Sequence, residues 1–320
     1  MVKAIILNDT SREDGHLGCA LVMDNIHKLC AKHNIEVVSS IKRTDVYLDN
    51  DYENILDRTD IVIVNGEGSM HDDQDVALNL IKSLKIAKKK NKKMFLINTV
   101  WQNNNILNDY LHFFEKIYVR ESLSQKEVIA AGFDAEVVPD LSLYTDISDV
   151  KTNVKKDNIQ IIDSIIKKHT NDLSNLALRL RAKFYCMGHG AVKLYELHHK
   201  YRKYRLRLKG CGLQNINELN DIAKHEAMLS GRFHAVCIAM KLKTPFLFIG
   251  SNTHKIEGLL SDVGVDYNDY LITSKTYNSS KSEIIEFVKS NYSKNEEKFD
   301  KYVNSAIHKI ENMFSEIARG

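Results

Sequence analysis

Proline is scarce in this chain, with 2 in 320 residues beside 14 glycines, which excludes a collagen-like or proline-rich fibrous protein. Hydrophobic residues at 43% and charged residues at 27% are ordinary for a globular protein and exclude a disordered one. Neither sign of charge is in large excess: 45 Lys and Arg against 42 Asp and Glu leave a formal charge of +3. A dedicated nucleic-acid binder carries a larger basic surplus, so no nucleic-acid partner is expected. The 5 cysteines (Cys19, Cys30, Cys186, Cys211, Cys237) are odd in number and scattered, without a Cys-x-x-Cys spacing. Neither a disulfide framework nor a zinc ribbon is expected, and no metal cluster is read from the spacing of ligand residues.

Long apolar runs are missing too. A membrane-crossing helix needs about 20 apolar residues. The longest candidate, Ala235 to Gly250, is broken by Lys241, Lys243 and Pro245. The opening Met1-Val2-Lys3-Ala4-Ile5-Ile6-Leu7 resembles a first buried strand, too short for a signal peptide and not followed by a small-residue cleavage site. A cytoplasmic protein is expected. No internal repeat occurs at solenoid periods.

What is present is alternation. Ala4 to Leu7, Glu36 to Ser39, Ile61 to Val64, Lys93 to Ile97, Ile117 to Val119 and Glu136 to Val138 read as strands. Between them Leu17 to Lys32, Val76 to Lys90 and Ser122 to Ala131 read as helices, the last closed by Gly132. Four consecutive apolar residues at Ile61 to Val64 suit a strand buried on both faces. The pattern predicts an α/β fold with parallel sheets. Asp146 to Asp157 is polar and charged and is read as the boundary between lobes spanning 1–150 and 151–320. Beyond it, Ser164 to Arg181 and Ile216 to Leu229 read as mostly helical, Lys183 to Met187 and Pro245 to Ile249 as strands, and Phe233 to Met240 as a helix or buried segment. Lys255 to Val263 reads as a helix, and from Ser282 onward an amphipathic helix pair is expected. Two such lobes imply a cleft between them, where ligands usually bind.

Several polar residues stand at the ends of these strands. Asn65-Gly66-Glu67-Gly68-Ser69-Met70-His71 follows the third strand directly. Gly66, Gly68 and Ser69 offer backbone N–H groups to an oxyanion, although the same sequence also serves as a tight strand-to-helix turn. It is neither Gly-x-Gly-x-x-Gly nor a P-loop. Ser230-Gly231-Arg232-Phe233-His234-Ala235 sets an arginine and a histidine two apart at the head of an apolar segment. Arg232 offers a planar fork for phosphate or carboxylate, and His234 a proton near neutral pH. The alternative is a salt-bridged arginine and a hydrogen-bonded core histidine. Ser251, Asn252, Thr253, His254 and Lys255 lie between a strand and a helix, where they either cap the helix or receive an anion at its N-terminus. Arg120, Asn98 and Asp140 close further strands, and His16, Gly18 and Cys19 occupy the first strand-to-helix loop. Lys193 to Lys209 carries seven Lys or Arg against one Glu, interleaved with Tyr195, Tyr201 and Tyr204. It reads as a solvated helix face or as a docking face for an anionic carrier or membrane surface.

Taken together these motifs resemble the polysaccharide pyruvyl transferase family. The resemblance rests on Asn65-Gly66-Glu67-Gly68-Ser69, and on Val119-Arg120-Glu121-Ser122-Leu123-Ser124 with Ala131-Gly132 and Val138-Pro139-Asp140. It also rests on Ser230-Gly231-Arg232-Phe233-His234-Ala235, and on Thr244-Pro245 followed by Ser251-Asn252-Thr253-His254-Lys255. Their order and spacing match over about residues 10 to 270. The first loop departs from the family, reading Asn8-Asp9-Thr10-Ser11 … His16-Leu17-Gly18-Cys19 where a Gly-Asn-x-Gly-Asp type is usual.

The resemblance implies two Rossmann-like lobes facing a cleft, the B-type glycosyltransferase architecture. It implies transfer of a pyruvyl group from phosphoenolpyruvate, as co-substrate and without a cofactor, to a sugar or lipid-linked glycan of the cell surface. Arg232, His234 and Arg120 match the family's positions for donor binding and catalysis. Ketal formation needs protonation of the enol methylene and attack by a sugar hydroxyl, with His234 as acid and Glu67 or Asp140 as base. A glycosyltransferase using a nucleotide-activated acidic sugar is the alternative on the same architecture.

Overall fold

The computed structural model describes residues 1–11, 16–42, 52–150, 157–187, 209–210 and 217–320. The basic stretch Lys193 to Lys209 lies outside the described residues except for its last position, and Cys211 lies outside them as well. The chain forms two compact units. Unit 1 comprises Met1–Thr10, Val22–Tyr144 and Ser305–Gly320, and unit 2 comprises Ser11–Leu21 and Thr145–Asn304. Neither unit is one continuous stretch of chain.

Unit 1 is built on a parallel sheet of six strands in the order β2-β1-β3-β4-β5-β6. They are β1 (Val2–Asp9), β2 (Ile35–Lys42), β3 (Ile61–Glu67), β4 (Lys93–Thr99), β5 (Lys116–Val119) and β6 (Glu136–Val137). Side chains alternate across a strand, so each apolar run divides between two faces. Ala4, Ile6, Ile61, Ile63, Phe95 and Ile97 enter one core, where α1 (Leu17–Lys32) contributes Val22, Ile26 and Leu29. Ile5, Leu7, Val62, Val64, Met94 and Leu96 enter the opposite core with α2 (Tyr52–Asp57), α3 (Asp75–Lys89) and α4 (Ser122–Ala130). This two-sided burial is why these strands read as unbroken apolar runs rather than alternating ones. Gly132, with φ +88°, closes the connection after α4 in a left-handed conformation.

Unit 2 carries a second parallel sheet of five strands, in the order β11-β10-β7-β8-β9. These are β7 (Asp157–Ser164), β8 (Lys183–Cys186), β9 (Lys209–Gly210), β10 (His225–Gly231) and β11 (Phe246–Phe248). Helices α5 (Lys167–Leu180), α6 (Asn217–Ala223), α7 (Phe233–Lys241), α8 (Lys255–Val263) and α9 (Ser274–Asn278) follow in chain order. Ile159, Ile161, Phe184, Ala227, Leu229 and Leu247 of the sheet pack with Leu173, Leu176 and Leu180 of α5. Helix α7 is buried over Phe233 to Met240, as its apolar composition demands.

Two expectations for this half are corrected, and one strand is added. The stretch Ile216 to Leu229 is not one helix: α6 stops at Ala223 and β10 begins at His225. Ala227 and Leu229 alternate with Met228 and Ser230 along β10, a period of two that the helical reading passes over. The stretch Ser164 to Arg181 is mostly helical as expected, with α5 at Lys167–Leu180, but the strand β7 before it, Asp157–Ser164, is absent from the sequence reading. The C-terminal helix pair is a single helix, α10 (Lys281–Ile317), of 37 residues. It contains neither glycine nor proline, so nothing in the backbone interrupts it. Its residues to Asn304 belong to unit 2 and those from Ser305 to unit 1, where Ile310, Met313, Phe314 and Ile317 complete a core face. Among the described residues no helix is long and apolar enough to cross a membrane.

Candidate functional site

All strands of a parallel sheet end on one edge, and side chains just past those ends converge there. Each unit has a polar group at that edge.

In unit 1 the group is centred on Arg120, which follows β5 and is 1% exposed. Its Nη1 lies 3.4 Å from Asp140 Oδ2 and 3.8 Å from Glu67 Oε2. Both carboxylates are buried, Glu67 at 4% and Asp140 at 0% exposure. Thr10 Oγ1 donates to Glu67 Oε1 at 3.3 Å, and the Ser142 N–H donates to Asp140 Oδ1 at 2.9 Å. Asn98 Nδ2 donates to Asn65 Oδ1, while Asn98 Oδ1 accepts the Leu141 N–H at 3.2 Å. Three non-glycine residues adopt left-handed backbone at three neighbouring strand ends: Asn8 (φ 65°), Glu67 (φ 48°) and Asn98 (φ 53°). Such strain persists where the surroundings over-determine it, commonly at sites of function. Glycine is required at Gly66, because a Cβ there would lie 2.3 Å from the Thr99 side chain. The turn partly closes on itself: the Ser69 N–H donates to the Gly66 carbonyl at 3.2 Å.

In unit 2 the group is centred on Arg232 and His234. Arg232 is the N-cap of α7, with its own N–H on Ser230 Oγ at 3.0 Å. Its Nε and Nη2 both donate to the fully buried carboxylate of Asp163, near the end of β7. Burial works against the charge on Arg232, and the charge and hydrogen bonds of Asp163 outweigh it and raise its pKa. The salt-bridged arginine of the plainer sequence reading is therefore what the geometry shows, with Nη1 lying outside this two-point pairing. Asp163 in turn accepts the Met187 N–H at 3.0 Å.

His234 lies in the first turn of α7 and is 7% exposed. Its ring meets His16 edge-on at 5.4 Å between centroids. Gly18 lies against that ring: a Cβ on it would approach His234 ring atoms to between 2.2 and 2.4 Å. His16 Nδ1 accepts the Cys19 N–H at 3.4 Å. Burial, then the charges of His234, Arg232 and Lys255, hold His16 well below the ordinary histidine pKa, so its imidazole is neutral at neutral pH. One ligand atom from each of His16, Cys19 and His234 falls within 4.8 Å of the others.

The helix after β11 is capped differently from expectation. His254, not Ser251, Asn252 or Thr253, is the N-cap of α8, and it makes no side-chain cap bond. Asn252 Oδ1 instead accepts Lys255 Nζ at 2.6 Å and Ser251 Oγ at 3.2 Å. Lys255 is 7% exposed and near enough to act on His16. Thr253 is buried, with no hydrogen-bond partner for its Oγ1.

The structure thus gathers Glu67, Arg120, Asp140 and Asn98 in unit 1, with Gly66, Gly68 and Ser69 in the turn around Glu67. It gathers His16, Arg232, His234 and Lys255 in unit 2, with Ser251 to His254 leading into α8. Two participants were missed. Asp163 was missed because β7 was not read as a strand. An acid following Ile161 and Ile162 was the available signal. Cys19 was seen in the first loop but not joined to His234, which lies more than two hundred positions away in sequence.

Two parallel-sheet units of this kind define the B-type glycosyltransferase architecture, and solved structures bear this out. The UDP-GlcNAc 2-epimerase of Methanocaldococcus jannaschii superimposes with a TM-score of 0.56 at 14% identity, covering 90% of this chain and 92% of that one. MnaA of S. aureus gives 0.55 at 12% identity, covering 96% and 91%. Os79 of O. sativa gives 0.53 at 9% identity, covering 98% and 99%. At such identities the likeness concerns fold alone. No protein of curated function matches the chain in sequence. A family profile for polysaccharide pyruvyl transferase matches residues 16–253, and the chain belongs to that family of transferases.

Proposed function

We propose that the chain transfers the pyruvyl carbons of phosphoenolpyruvate to two hydroxyls of one sugar, as a ketal, releasing inorganic phosphate. The observation that carries this reading is the pairing of His16 with His234 beside Arg232 and Lys255, inside the segment that matches the family. The donor brings a carboxylate and a phosphate, and both call for guanidinium or ammonium donors and for helix N-termini. Arg232 Nη1, Lys255 and the first turns of α7 and α8 supply these.

In the reaction, the methylene carbon of the donor takes a proton from His234, and the adjacent carbon becomes electrophilic. A sugar hydroxyl bonds to that carbon and gives its proton to His16. A second hydroxyl then bonds to the same carbon as the carbon–oxygen bond to phosphate breaks; the phosphate leaves with that electron pair and takes up the proton of the second hydroxyl. Glu67 and Asp140, the earlier candidates for base, share Arg120 in unit 1 and are assigned to positioning in this reading. Asp163 holds the Arg232 fork in place. No cofactor or metal takes part in these steps.

The acceptor in this proposal is a sugar or lipid-linked glycan of a cell-surface polysaccharide such as capsule. The reaction belongs in the cytoplasm, and Lys193 to Lys209 provides contact with the inner face of the plasma membrane. Donor choice tests the reading. Phosphoenolpyruvate at 100 times its Kd should stabilise the fold by about 2.7 kcal/mol in a thermal-shift titration, while UDP-sugars leave it unchanged. Stabilisation by a nucleotide sugar and not by phosphoenolpyruvate would shift the assignment to a glycosyltransferase using an activated acidic sugar.

A further inference from the structure

We infer that His16, Cys19 and His234 form a binding site for a thiophilic divalent cation such as Zn2+, and that its occupancy switches the enzyme off. The inhibitory part rests on the proton-transfer roles given above to the two histidines; the binding part does not.

The geometry is that of a chelate. His16 and Cys19 are three apart at the start of α1, where the Ala20 N–H donates to the His16 carbonyl at 3.0 Å. Residues three apart at a helix start lie on one side of it. His234 faces them from the first turn of α7. All three belong to unit 2. Their ligand atoms lie within 4.8 Å of one another, whereas tetrahedral zinc with nitrogen and sulfur ligands sets its donors about 3.3 to 3.6 Å apart. Gly18 makes the approach feasible, since any Cβ there would collide with the His234 ring.

The ligand set also matches the metal. Two imidazoles and one thiolate suit Zn2+ over Mg2+ or Ca2+, which prefer oxygen. Three protein ligands leave a fourth tetrahedral position for water or an anion. The cation would deprotonate Cys19 on binding, so the bound group gains one positive charge net. Asp163 already balances Arg232, which lessens the repulsion such a charge would meet. With metal bound, neither histidine can give or take the protons that ketal formation requires.

Cobalt(II) as a spectroscopic stand-in decides the binding question on the whole chain. Co2+ added to the wild-type protein should produce the near-ultraviolet thiolate-to-cobalt band together with the visible bands of a tetrahedral site, and Zn2+ should bleach them. Cys19→Ser should lose the thiolate band and weaken cobalt binding by about 10-fold or more, at an unchanged melting temperature. His16→Gln should weaken binding while keeping the thiolate band at saturating metal. Absence of the band in wild type, or its persistence in Cys19→Ser, overturns the site. The second arm measures phosphate release from phosphoenolpyruvate: Zn2+ should inhibit wild type, and Cys19→Ser should resist about 10-fold more metal with undiminished metal-free activity. Equal inhibition of the two proteins overturns the switch. If neither protein turns over phosphoenolpyruvate, the donor assignment has failed, and the cobalt arm still decides the metal site.

Discussion

The polar edge of unit 1 is a set of buried ion pairs and amide hydrogen bonds, whereas that of unit 2 sets a neutralised arginine beside two imidazoles and a thiol. In unit 1 two buried carboxylates share one buried guanidinium, and the surrounding asparagines spend their amides on each other and on backbone. In unit 2 one carboxylate neutralises Arg232, and beside that pair the His16 and His234 rings meet edge-on, with the Cys19 thiol within 4.8 Å of their ligand atoms. The contrast separates two uses of buried polar residues. One group ties strand ends of unit 1 together, and in the proposed reaction His16 and His234 of the other move the protons.

Breaking the ion group of unit 1 should cost the most stability. Arg120→Leu would leave Glu67 and Asp140 facing each other without a cation, and removal of one partner from a buried ion group costs about 3–5 kcal/mol. Urea unfolding should report a loss of that size, and a loss near zero would mean that the group does not hold unit 1 together.

A smaller effect on stability, with a larger one on chemistry, is expected from Gly18→Ala. Its Cβ would fall 2.2 to 2.4 Å from His234 ring atoms and must displace the ring. Overpacking of this kind costs about 1–3 kcal/mol. A misplaced reacting group costs about 100-fold in rate. Unchanged turnover would show that the position of the His234 ring is not critical.

The smallest effect concerns the C-terminal helix on unit 1. Glu311 of α10 contacts Lys32, Tyr144 and His33. Burial acts to raise its pKa, but these hydrogen bonds and the Lys32 charge prevail and hold it at about 2, below the ordinary 4.5. A depressed carboxylate stabilises the fold above its unfolded pKa and loses that contribution as pH falls toward the folded value. The melting temperature should therefore decline between pH 4.5 and about 2, and Glu311→Gln should flatten that decline. An identical slope in both proteins would remove Glu311 from the acid response.

The two units also differed in how far the sequence revealed them. In unit 1 the apolar runs Ala4 to Leu7, Ile61 to Val64 and Met94 to Ile97 fall on strands, because burial on both faces leaves no other pattern. In unit 2, Ile159 and Ile161 alternate with Gln160, and Ala227 with Glu226, so polar residues interrupted β7 and β10 and blurred them into helix or linker. The candidate site followed the same division. Strand-end residues such as Glu67, Arg120 and Asp140 were legible from position alone. The pairing of Arg232 with Asp163 depended on an unread strand. The meeting of Cys19 with His234 depended on Ser11–Leu21 belonging to unit 2, which no local pattern encodes.

The central claim is that His234 and His16 of unit 2 perform the proton transfers, and His234→Asn tests it most directly. Asparagine keeps a hydrogen-bonding side chain of similar reach but cannot deliver a proton at neutral pH. Phosphate release from phosphoenolpyruvate in the presence of an acceptor glycan should be measured with the melting temperature on the same preparation. The account predicts that turnover falls by about 100-fold or more, while donor affinity and melting temperature stay near wild type. Near-normal turnover in the folded fraction, with or without a lowered melting temperature, would contradict it.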